Sequence, residues 1–195
     1  MGRIKSAWEI ALERTESIEV DADKIRHSAN IDAIRRIAGA YMLSEDNTEA
    51  STREKLASYT PEDLKEGLGQ TILNTLVLNL NATESDKDQR ACTLLDIALP
   101  GDAATMNYLQ QIQQHINQYP LHMKQLLQQL KEQFEPRLQE KARMMKEQYG
   151  EDVPVSFEND KECQQLVTQY SDKLTAQYQE PLDEAKAMLK VIFGC

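Results

Sequence analysis

From Met123 to Tyr149, and again from Cys163 to Ile192, an apolar side chain recurs every three or four positions along an otherwise polar chain. That spacing is the period of an α-helix and not of a strand, so both stretches are predicted to be long amphipathic helices. Gly150-Glu151-Asp152-Val153-Pro154 lies between them and reads as a turn that folds the pair into an antiparallel hairpin. Each apolar stripe is narrow, as where two helices zip along one seam. The residues placed on that seam are Leu127, Leu130 and Phe134 in the first helix and Leu166, Tyr170 and Leu174 in the second. Pro136 and Pro181 fall inside the two patterns and are expected to kink their helices or split them.

The rest of the chain also reads as helix, in shorter pieces. Ile4, Trp8, Ala11, Leu12 and Thr15 share one helical face, and Ile34, Ile37, Ala38, Tyr41 and Met42 another. Glu45 to Thr52 is polar and loop-like. Thr60-Pro61-Glu62-Asp63 is a start signal: a capping hydroxyl, a proline in the first turn, then acids. Helical spacing continues to Leu80, although Gly67 and Gly69 interrupt it, and the alternation of Leu76, Leu78 and Leu80 also suits a strand. The two glycines permit a kink or the close approach of another helix. Thr83 or Ser85 opens a further helix, stopped by Pro100-Gly101, and another from about Asp102 should end before Tyr119-Pro120.

Composition changes at Pro100-Gly101, since sixteen of the eighteen glutamines lie beyond it. Residues 1–100 are therefore expected to form an N-terminal helical region and 101–195 the hairpin. The predicted fold class is all-α, an N-terminal helical bundle followed by a long antiparallel helical hairpin.

The chemistry-bearing residues form no strong motif. His27, His115 and His122 are scattered, with Pro120 between the last two, so no metal site is expected and surface or boundary positions are. Cys92, Cys163 and Cys195 have neither disulfide nor zinc spacing. Gly67-Leu68-Gly69 lacks the third glycine and the lysine of phosphate loops, and nothing resembles a nucleophile elbow. No cofactor is expected. The net charge of −10, with basic residues interleaved among acids, argues against a nucleic-acid partner. No apolar run is long enough to span a bilayer, and the N-terminus lacks the apolar core of a signal peptide, so membrane association is not expected and the cytoplasm is. Met1-Gly2-Arg3-Ile4-Lys5-Ser6 fits the loose myristoylation pattern, but a first helix docked through Ile4 and Trp8 explains the same residues.

The opening Gly2-Arg3-Ile4-Lys5-Ser6-Ala7-Trp8-Glu9-Ile10-Ala11-Leu12-Glu13 resembles the start of a bacterial family of small helical proteins with no assigned function. The resemblance implies a bacterial cytoplasmic protein and offers no active site to carry over. Two functional readings follow from the residues. The first is a non-enzymatic assembly or interaction protein whose hairpin meets a protein partner or a second copy. The alternative is a helical-bundle enzyme or small-ligand-binding protein with a pocket between the two halves.

Overall fold

The computed structural model describes residues 22–44, 46–80, 86–150 and 155–195, and these form an all-α fold. The helices are α1 (Ala22–Leu43), α2 (Glu49–Leu56), α3 (Pro61–Thr75), α4 (Asp86–Ala98), α5 (Ala103–Tyr149) and α6 (Lys161–Phe193). The expectations for a helix at Ile4–Thr15, for its docking and for myristoylation lie outside the described residues.

Local caps set most boundaries. The Thr60 hydroxyl accepts from the Asp63 N–H at 3.2 Å, and Asp160 accepts from the N–H groups of Glu162 and Cys163, both at 3.1 Å. Gly150 and Gly194 take positive φ values of 73° and 80° and close the two long helices, a geometry that favours glycine. At the end of α1 no basic residue faces the last turn, and help comes from another helix. Arg90 of α4 donates to the carbonyls of Tyr41 and Ser44 and lies over the Tyr41 ring. It thereby satisfies acceptors that the helix leaves unpaired.

Three boundaries depart from expectation. Residues 49–56, read partly as loop, form α2. Its cap is Thr48, and only Thr52 and Leu56 are buried, too few to make a visible period. The helix expected to reach Leu80 ends at Thr75, whose hydroxyl turns back to the Ile72 carbonyl at 2.7 Å. Beyond it Leu76 is buried, Val77 exposed and Leu78 partly buried. The alternation stops there, since Leu80 is 56% exposed, and no strand occurs among the described residues. Finally, α5 does not stop before Pro120 but runs through both Pro120 and Pro136, and α6 likewise runs through Pro181. Each proline withholds one N–H, from the carbonyls of Ile116, Glu132 and Gln177, at about 3 kcal/mol in a helix interior. Around Pro120, buried Ile116, Tyr119 and Met123 lie against α6 and offset that loss.

The core draws on α1, α3 and α4, the first turns of α5 and the last turns of α6. Ile34, Leu68, Leu94, Leu109, Leu189 and Phe193 lie at its centre. Gly67 and Gly69 make it possible. A Cβ on Gly67 would stand 2.7 Å from Ile34 Cγ2, and one on Gly69 would stand 2.3 Å from Phe193 Cγ. The glycines are packing surfaces on two sides of α3, which is the close approach anticipated for them.

Candidate functional site

Past Ile116 in α5 and before Leu182 in α6, the long helices leave this core and continue as a two-helix arm. Their partners run antiparallel from Tyr119 Oη with Thr175 Oγ1 at 3.0 Å to Arg137 with both oxygens of Glu162 at 2.7 Å, while Lys131 meets Glu158 of the segment before α6 at 3.1 Å. Lys141 pairs with Asp160 near the tip. That ammonium and the Cys163 N–H hold the Asp160 carboxyl at about 2, so its stabilising effect is complete above the usual 3.8 and fades as pH falls towards 2.

The six seam residues divide into three kinds. Leu130 is buried. Phe134, Leu166 and Leu174 are half-buried, and Leu174 packs on the cluster of Tyr119, Met123 and Tyr178. Leu127 and Tyr170 remain 37% and 42% exposed. Leu121, Met144 and Tyr149 on the same arm are more exposed still. Two helices alone leave these side chains uncovered.

Because α5 continues through Pro120, His115 and His122 lie two turns apart on one helix and both meet Tyr178. His115 stacks on its ring at a centroid distance of 4.5 Å and donates through Nε2 to its carbonyl at 3.1 Å. His122 Nδ1 hydrogen-bonds the Tyr178 hydroxyl. The scatter inferred from sequence is therefore corrected for this pair, and the missing signal was the helix across Pro120. The arrangement ties the base of the arm together. It does not gather ligands, since among the described residues no three His, Cys, Asp or Glu side chains converge as a metal would require.

Beside this joint lies a groove of about 630 Å³. Met123 and Leu127 of α5, Val167 of α6, Leu80 and Phe157 form its apolar surface, and Lys124, Gln128 and Lys131 rim it. Its walls come from segments far apart in sequence, so spacing along α5 could reveal only Met123 and Leu127 among them.

A second constellation sits at the opposite end, where α1 meets α3. His27 lies between two carboxylates, with Nδ1 on Asp63 and Nε2 on Glu66 at 3.0 Å. Asn30 Nδ2 donates to the second Asp63 oxygen at 2.8 Å. With both ring nitrogens facing acceptors, the imidazolium is favoured. The Asp63 hydrogen bond leads in raising the His27 pKa above its usual 6.5, and Glu66 adds to it against some desolvation. Burial pushes the Asp63 carboxyl up, but hydrogen bonds from Asn30, His27 and Thr60 outweigh it and leave the group below its usual value. The His27 contribution to stability is complete below 6.5 and is lost as pH rises through its raised folded value. Asp63 contributes above its usual 3.8 and loses its effect at lower pH. Wild-type protein should therefore melt at a higher temperature at pH 6 than at pH 8, and His27→Gln should flatten that slope. Equal slopes in thermal melts of the two proteins would contradict the clamp.

A family model described as a family of unknown function (DUF6657) matches residues 53–191. The match bears out the expectation of an uncharacterised family, on different residues from the opening twelve. No curated protein and no solved structure matches the chain. Among the described residues no helix is long and apolar enough to cross a membrane.

Proposed function

We propose, for a chain that belongs to the DUF6657 family of unknown function, that it is a non-enzymatic assembly protein whose arm pairs with protein. The observation that carries the reading is the arm's uncovered apolar surface. From Asn117 to Tyr149 α5 extends about 50 Å beyond the core, at 1.5 Å per residue. α6 lies beside it from its cap Asp160, which meets Lys141, so the two helices run together for about 36 Å and present a face about 20 Å wide, hence about 700 Å², close to the ~800 Å² per partner of a standard stable interface. Leu127 and Tyr170 supply apolar contact on it, while the ion pairs towards the tip fix the geometry at little energetic gain.

Light scattering on the full chain tests this directly. The expected result is a mass above that of one chain, falling on dilution. Leu127→Asp with Tyr170→Asp should reduce it while leaving the circular dichroism spectrum unchanged, because both side chains are already exposed. A compact monomer at every concentration would overturn self-assembly.

A second reading, small-ligand binding, is favoured by the groove. Its volume falls within the ~300–1,000 Å³ of ligand pockets, and Leu80 from the first half and Leu127 from the second both line it. An apolar molecule carried through purification and released on denaturation would support that reading; apo protein binding no apolar probe would remove it.

A further inference from the structure

The groove beside Pro120 has a length, an apolar floor and a charge pattern that specify an occupant. Along α5 it runs from Pro120 to Lys131, about 16 Å of helix or three turns. Met123, Leu127 and Val167 floor it. Lys124 and Lys131 stand on its rim seven residues apart, which is two helical turns. Lys131 already holds Glu158, whereas Lys124 has no ion-pair partner among the described residues.

The sequence contains a segment of matching form. Ile4, Trp8, Ala11, Leu12 and Thr15 recur in the sequence at the spacing of one helical face, and at that period their segment measures about 18 Å. Glu9 and Glu16 flank that face, also seven residues apart. We propose that this groove receives residues 4–15 of a second copy of the chain, with the Trp8 ring between Leu127 and Val167 and Glu9 and Glu16 beside Lys124 and Lys131. The inference rests on the arm as the assembly element and names its partner.

Reach decides that the segment comes from another copy. α1 starts at the end of the molecule where α6 finishes: His27 meets Glu66, and Phe193 lies on Gly69 of the same helix. The nearer end of the groove is level with Thr175, the partner of Tyr119. From there to Phe193 is about 27 Å along α6. α1 and α3 run parallel, since His27 and Asn30 meet Asp63 while Ile34 meets Gly67, so Ala22 lies about another 15–20 Å farther out. Residues 16–21 span at most about 24 Å when fully extended. A chain cannot fill its own groove, but two copies can fill each other's, closing a two-fold dimer.

Trp8 is the sole tryptophan, so its emission reports the docking without a label. In the full-length protein the emission should be blue-shifted at high concentration and move to the solvent value on dilution, in step with the fall in mass. Leu127→Asp should shift it to the red and weaken the dimer by about tenfold or more. Val191→Asp, on an exposed face of α6 outside the groove, should change neither. A dimer whose Trp8 emission ignores Leu127→Asp overturns the docking and leaves the arm reading standing. A folded monomer at all concentrations overturns both.

Discussion

Gly69→Ala should destabilise the protein by about 2 kcal/mol, the cost typical of overpacking a core. The sign is the informative part. In a helix interior this substitution ordinarily stabilises by about 1 kcal/mol, because alanine loses less backbone freedom than glycine. At Gly69 the added methyl would meet Phe193 Cγ at 2.3 Å and Cβ at 2.5 Å. Those atoms lie near the root of a side chain that is 1% exposed, so they cannot swing aside without moving α6. Gly39 of α1 supplies the control, since a Cβ there meets nothing within 4 Å. Gly39→Ala should stabilise by about 0.5–1 kcal/mol. Urea denaturation of the two variants measures both, and equal signs would contradict the packing of α3 against α6.

Replacing Leu130 and Leu174 together with Asp should open the arm, at a cost of about 2–5 kcal/mol for the lost burial. Leu130 is 5% exposed, and Leu174 packs against the cluster of Tyr119, Met123 and Tyr178. A carboxylate at either place must leave the interior to stay hydrated, which parts α5 from α6. Helical circular dichroism should fall and proteolysis should move into residues 120–175. The main core contains neither residue, so a cooperative melting transition should persist. Unchanged helicity and unchanged melting would show that this seam does not hold the arm. The double variant also separates support from contact, because Leu127 and Tyr170 are exposed and their replacement leaves the arm intact.

Much of the architecture was legible because its causes are local. The stripe from Met123 to Tyr149, the Thr60-Pro61 start and the glycines after Tyr149 and Phe193 act through neighbours three or four residues away. Helix α2 escaped notice for the same reason in reverse, having only two buried residues to mark its period. Pro120 misled because a proline has a definite local cost, while the burial that offsets it comes from α6. Of the candidate site, Met123 and Leu127 were visible as teeth of one period, but the groove they line also needs Leu80, Phe157 and Val167.

By itself, then, the sequence determined that this chain is helical, where most helices begin, and that two long ones carry narrow apolar stripes. Those are properties of short-range hydrogen bonding and side-chain periodicity. Tertiary structure decided that α5 passes Pro120, that α3 stops at Thr75, and that Gly67 and Gly69 are contact surfaces. It also brought His27 to Asp63 and Glu66, 36 and 39 residues away, and set His115 and His122 around Tyr178. Such meetings depend on how whole helices pack, and periodicity within one helix carries no record of what lies across from it.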